Sequence, residues 1–238
     1  FTSIAEAQGI APLIRICGTG TLVEAKEFAA LALWHIALDP ELRTWIGANG
    51  GINPLAHLLA KGTSSAQAHA SLCFRRLAID NPESQVMIAK CLVGMLEHDD
   101  DCEVLRAVSN LFSLAADNPE ACSSIVYSGA VPSLVRVLTR DSDNTRGEAA
   151  KVLQILADSS SEQRQSIASS LVAVKVSASF TSEQAQEAVT ALLLALSPTG
   201  EEHRESRLAI ANTSPHTFRV LIRELQSDSI TLRTLAVA

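Results

Sequence analysis

Aromatic residues are scarce in this chain: six phenylalanines, two tryptophans and one tyrosine among 238 residues. Alanine and leucine fill the apolar positions instead, a mixture that favours close-packed helices over sheets. No apolar run reaches the roughly eighteen residues of a membrane-spanning helix, so no membrane span is expected. The five cysteines (Cys17, Cys73, Cys91, Cys102, Cys122) form no CxxC pair and no zinc spacing, which points to reduced thiols. There is no basic excess either. The net charge is −7 with acidic and basic residues interspersed, which argues against a nucleic-acid binder. No Gly-rich phosphate loop is present. The histidines (His35, His57, His69, His98, His203, His216) scatter over different segments with no Ser/His/Asp or Cys/His context, so no nucleophilic catalysis is expected. No cofactor is expected.

The start of the chain lacks the charged and apolar regions of a signal peptide, and a cytoplasmic or nuclear location is the expectation. Asn212-Thr213-Ser214 matches a glycosylation acceptor by chance on that view. Phe1 and the mid-helix character of Ala238 suggest a segment of a longer protein.

What is present is a recurring register. Pro40-Glu41, Pro82-Glu83 and Pro119-Glu120 are each followed, six residues after the proline, by Ile46, Ile88 and Ile125. Extended both ways, the column reads Ile4, Ile46, Ile88, Ile125 and Ile167, with steps of 42, 42, 37 and 42. Such a period marks a stacked-repeat protein. Each unit then buries its apolar face only against its neighbours, which produces an extended binding surface.

Three helical pieces are expected in each unit. Asp or Asn before the proline caps a short first helix, and Glu favours its positive end. Gly50-Gly51-Ile52-Asn53-Pro54-Leu55 and Gly129-Ala130-Val131-Pro132-Ser133-Leu134 then break the chain and restart it, as does Gln8-Gly9-Ile10-Ala11-Pro12-Leu13. Longer third helices are expected at Phe28 to Leu38, Gln67 to Ile79, Val104 to Ala115, Glu148 to Ala157 and Ala185 to Leu196. The third and fifth units lack the glycine and proline, at Ile88-Ala89-Lys90-Cys91-Leu92-Val93 and Ile167-Ala168-Ser169-Ser170-Leu171-Val172. Fused first and second helices are expected there, with a local change in superhelical twist.

Gly-Gly-Ile-x-Pro-Leu, a polar turn, and then the helix Ala29 to Ala37 resemble the armadillo repeat. The resemblance spans essentially the whole chain. It implies an all-α fold, a right-handed α-solenoid of about four fuller units with partial units at both ends. The approximate repeats are 1–38 (partial), 39–79, 80–116, 117–157, 158–197 and 198–238 (partial), forming one array over 1–238. It also implies a non-catalytic scaffold for protein–protein interaction, with a protein or peptide partner lying extended or helical along a concave groove of third helices. Two alternatives stand beside it: a divergent nuclear-import adaptor, or the recognition or regulatory arm of a larger enzyme such as a ubiquitin ligase.

Importin-type armadillo proteins clamp a peptide backbone with an asparagine ladder, preceded four residues earlier by tryptophans. The repeat anchors align the asparagine positions with His35, Arg76, Ser113 and Ile155, and a fifth with Leu194 or Ala195. The tryptophan positions become Leu31, Leu72, Ser109 and Lys151. Neither ladder is present, which argues against importin-type recognition. Ser109-Asn110-Leu111 mimics the importin tripeptide, but only with a three-residue shift against both flanking anchors. Leu31, His35, Leu72, Arg76, Ser109, Ser113, Lys151 and Ile155 are therefore the candidate groove residues. Arg76, His35 and Lys151 would make the groove mildly positive, suited to an acidic or phosphorylated partner.

Other features have plainer explanations. Within His98-Asp99-Asp100-Asp101-Cys102-Glu103, Asp100 or Asp101 is expected to cap a third helix and Glu103 to complement its dipole, rather than to bind a cation. Trp34 and Trp45 are expected to pack between repeats. Asp158-Ser159-Ser160-Ser161-Glu162 reads as a polar turn.

Overall fold

The computed structural model describes residues 9–118 and 120–177, with Val189 and Leu192. All the regular elements among these residues are α-helices. They fall into two compact units, residues 1–130 and 131–238.

The first unit holds α1 (Ile10–Thr19), α2 (Val23–Ile36), α3 (Pro40–Ala48), α4 (Ile52–Lys61), α5 (Ser64–Leu77), α6 (Pro82–Met95), α7 (Asp101–Asp117) and α8 (Ala121–Tyr127). Helix α9 (Ala130–Val137) begins at the division, and α10 (Asp143–Ser159) and α11 (Ser161–Ser177) belong to the second unit. The expected third helices Ala185 to Leu196 and the partial unit beyond lie outside the described residues, apart from Val189 and Leu192, which are buried. Ile4 lies outside them too.

Local chemistry sets the helix starts. Asp39 Oδ1 accepts from the backbone N–H groups of Glu41 (2.9 Å) and Leu42 (3.1 Å), while Pro40 occupies the first turn, where its missing N–H costs nothing. Asn81 does the same for α6 through Ser84 N–H at 3.0 Å. The fourth unit departs from this expectation. Its Asn118 side chain donates to the carbonyl of Ala78 at 3.1 Å, and α8 opens at Ala121 without a side-chain cap. Pro119 lies outside the described residues.

At the breaks between first and second helices, Gly50 (φ 79°) and Gly129 (φ 81°) adopt the left-handed conformation that disfavours any Cβ. Where the chain has no such glycine, no break occurs. Residues 82–95 form the single helix α6, and 161–177 the single helix α11.

Within the first unit, α2 packs on α1 and α5, α4 on α1, α5 and α6, and α6 on α7 and α8. Ile46, Ile88, Ile125 and Ile167 are fully buried. Within this unit, side-chain hydrogen bonds between repeats join residues one period apart. Examples are Cys73 Sγ to Ala30 O (3.2 Å, 43 positions), Ser71 Oγ to Asn110 Oδ1 (2.6 Å, 39 positions) and Arg106 Nη2 to Ala60 O (3.0 Å, 46 positions). In the second unit α10 packs on α11, burying Val152, Leu153 and Leu156.

Replacing Gly50 by alanine imposes φ > 0 on a residue with a Cβ and is expected to cost about 1 kcal/mol. Urea unfolding should show a lower midpoint with an unchanged slope. Gly94→Ala, inside helix α6 with open space around its Cβ, should be neutral or stabilising.

Candidate partner-binding surface

Each third helix carries two candidate residues four positions apart, which places them on one helix face. On α2, the core-facing residues are Ala29, Ala30, Leu33 and Ile36. Leu31 falls beside this stripe and is half-buried, and His35 is exposed. On α5, Leu72 and Arg76 are half-buried beside the buried Cys73, Phe74 and Leu77. On α7, Ser109 and Ser113 are half-buried, and Ser113 Oγ donates to its own helix at Ser109 O, 3.1 Å away. α2 packs on α5, and α5 touches α7. In the second unit, α10 exposes Lys151 and half-buries Ile155.

The charge pattern differs from a uniformly positive lining. Lys151 Nζ lies 2.7 Å from Glu148 Oε1, an exposed pair that offsets the lysine's charge while adding little stability. Arg76 enters none of the ion pairs seen among the described residues. The His35 ring lies against Trp34, with centroids 4.6 Å apart and planes tilted by 56°.

Arg75, adjacent in sequence to Arg76, takes a different place. It lines a cavity of about 150 Å³ together with Ile79, Asp80, Ser113, Leu114 and Asn118. Both arginines are visible in the sequence, but one residue is a rotation of about 100° on a helix, and repeat anchors do not fix rotation that finely.

Asn110 of the importin-like tripeptide points into the protein. It is 8% exposed, accepts from Ser71 Oγ at 2.6 Å and donates to Arg106 O at 2.8 Å. This asparagine links α7 to α5.

The acidic stretch before α7 also departs from expectation. Asp100 caps the helix through Cys102 N–H at 2.9 Å, as expected, but Glu103 is 1% exposed. Its two carboxylate oxygens meet Lys61 Nζ at 2.8 Å and His98 Nδ1 at 2.9 Å. Lys61 ends α4 and Arg106 of α7 bonds to Ala60 O, so two cations, one from α4 itself and one from α7, stand at the negative end of the α4 dipole. The sequence signal, an acid one period from a lysine, is too common to single out. Burial alone would raise the Glu103 pKa; the hydrogen bonds from Lys61 and His98, with their charges, outweigh it and hold the carboxyl below its usual range. Among the described residues, no group of three His, Cys, Asp or Glu side chains is arranged to hold a metal.

None of the five cysteines is in a disulfide. Burial pushes the Cys17 thiol up to about 11 and raises those of Cys73, Cys91 and Cys122, which makes them poor nucleophiles. Among the described residues, no helix is long and apolar enough to cross a membrane.

Neither a protein-family model nor a curated protein matches the chain. Solved structures do. A designed armadillo repeat protein superposes over 96% of this chain and 97% of its own, with a TM-score of 0.54 at 18% identity. The fold is that of the armadillo repeat. A second designed armadillo repeat protein, in complex with the peptide (KR)4, matches over 96% of each chain with a TM-score of 0.55, again at 18% identity. An engineered protein reaches 25% identity with a TM-score of 0.53, over 96% of this chain and 94% of its own.

A pH titration tests the Glu103 staple. Because its folded pKa is depressed, its stabilisation is complete above the unfolded glutamate value of about 4.3. It is lost as pH falls through the folded pKa. Glu103→Gln should cost about 1–3 kcal/mol at pH 7 and flatten the acid limb of stability measured by urea unfolding. An unchanged acid limb would remove Glu103 from the account.

Proposed function

We propose that the chain is a non-catalytic protein-interaction scaffold that binds an extended segment of a partner protein along its third helices. The observation that carries this reading is the armadillo fold combined with paired accessible residues on successive packed helices, α2, α5 and α7. A partner following that surface meets Leu31 and His35, then Leu72 and Arg76, then Ser109 and Ser113, so modest contacts add over repeats. Lys151 and Ile155 offer the same kind of patch on the second unit.

The preferred partner is acidic or phosphorylated. Arg76 supports this, because a guanidinium fork suits carboxylate or phosphate oxygens. The inward turn of Asn110 gives no support to an importin-type adaptor. The matched designed protein holds a basic peptide; the residues at the groove positions here carry the opposite preference. A cytoplasmic or nuclear location fits five unpaired thiols.

An array of acidic, phosphoserine-containing, neutral and basic peptides tests the proposal, read by fluorescence anisotropy. Acidic or phosphorylated peptides should bind best, and Arg76→Glu should weaken them about tenfold or more, the scale of a charge-assisted contact. Equal binding of acidic and neutral peptides, or indifference to Arg76→Glu, would overturn it.

A further inference from the structure

The first helices carry a feature that neither the core nor the third-helix surface uses. Trp45 on α3 is 40% exposed and Met87 on α6 is 38% exposed, so Trp45 does not serve the purely internal packing expected of it. These two residues occupy the same repeat position, each immediately before a fully buried isoleucine, Ile46 or Ile88. Each also stands four residues after an exposed glutamate, Glu41 or Glu83, and therefore on the same helix face as it. The first helix of the next unit, α8, is preceded by exposed Glu120 and ends in Tyr127, which is 80% exposed.

The helices that carry this pattern are packed in series, all within the first unit. α3 meets α6 with Gly47 against Ser84, and α6 packs on α8. The result is an outward ridge of large apolar side chains edged by a column of carboxylates. None of the three glutamates enters an ion pair seen among the described residues. The exposed basic residue on this face is Lys90, one turn beyond Met87. A monomer gains nothing by holding a tryptophan and a methionine in water at a repeated position, with a tyrosine at the end of the next first helix, whose own repeat position is the half-buried Ser124, and such patches mark interaction sites.

We propose that this outer face of the first helices is a second docking surface, distinct from the third-helix surface, and that it takes a basic amphipathic helix. Charge complementarity sets the sign: lysine or arginine side chains pair with Glu41, Glu83 and Glu120, and can stack on Trp45 or Tyr127. Spacing sets the conformation. Packed helices lie about 8–10 Å apart, and seven residues of a helix rise about 10.5 Å. Apolar residues at i, i+7 and i+14 of the partner therefore meet successive first helices. An extended strand would match the distance too, but its backbone N–H and C=O groups need partners, and the ridge is built of side chains on closed helices. A helix satisfies its own backbone and leaves only side chains to match.

The probe is a synthetic helix of about eighteen residues, with leucines at i, i+7 and i+14 and flanking lysines, beside the same peptide with glutamate in place of lysine. Binding to the full 238-residue chain is read by fluorescence anisotropy across a salt series. The lysine peptide should bind about tenfold or more tightly than the glutamate peptide, and its binding should weaken with salt. Met87→Ser and Trp45→Ser should each reduce binding, by about tenfold at the better anchor. The triple variant Glu41→Gln, Glu83→Gln, Glu120→Gln changes only exposed side chains. It should erase the preference for lysine and the salt dependence while leaving the circular dichroism spectrum unchanged. Equal binding of the two peptides would overturn the proposal, as would binding untouched by both the Met87 and the triple substitutions. Concentration-dependent dimerisation that Met87→Ser abolishes would also overturn it, assigning the ridge to a second copy of the chain.

Discussion

The stacking register governs everything else in this molecule. A helix set with one apolar face cannot fold alone, and each unit here finds its cover on the next one along. Ile46, Ile88 and Ile125 sit at equivalent positions with no exposure. The side-chain hydrogen bonds between units repeat the same spacing, as in Cys73 to Ala30 and Ser128 to Val86, 43 and 42 positions apart. Because cover comes from neighbours, the interior of a unit can vary so long as the column is kept. The fusion of two helices into α6 shows this: the glycine break disappears, yet Ile88, Ala89 and Leu92 remain fully buried.

Buried polar groups then fix which faces meet. Asn110 joins α7 to α5 and Arg106 closes the end of α4. Glu103 holds Lys61 and His98 from a fully buried position. A carboxylate so placed would be costly without both partners, so these contacts specify orientation where apolar packing alone would tolerate rotation. They also shape the outer surface. Asn110 and Glu103 are turned inward, and the candidate residues left accessible on α2, α5 and α7 are leucine, serine, histidine and arginine. Exposed glutamates recur at the starts of the first helices, at Glu41, Glu83 and Glu120.

The repeat, the class of fold and the helix starts were legible in the sequence because they rest on local rules repeated several times. Asp39 and Asn81 cap where the Asp/Asn-Pro pattern places them, and the missing glycines of the third and fifth units become single helices. What was not legible depends on rotation and depth, which one-dimensional spacing does not carry. Arg75 and Arg76 are neighbours in sequence and differ in placement, the cavity belonging to Arg75. Glu103 reads like any first-turn acid until its burial is known. Trp45 looks like core by type, yet its position just outside the isoleucine column turns it outward. The departure at Asn118 has a similar cause: its amide reaches across to Ala78, a partner that no local pattern announces.

Hydrogen exchange on an Ile88→Ala variant tests most directly the claim that each unit is held by its neighbours. Removing that side chain leaves a cavity in the column and should cost about 2–5 kcal/mol. In a nearest-neighbour array the loss is local. Amide protection should fall in α6 and in the helices packed on it, α3, α4, α5, α7 and α8, while α1 and α2 keep theirs. Equal loss through α1 and α2, or no loss beyond α6, would contradict the account.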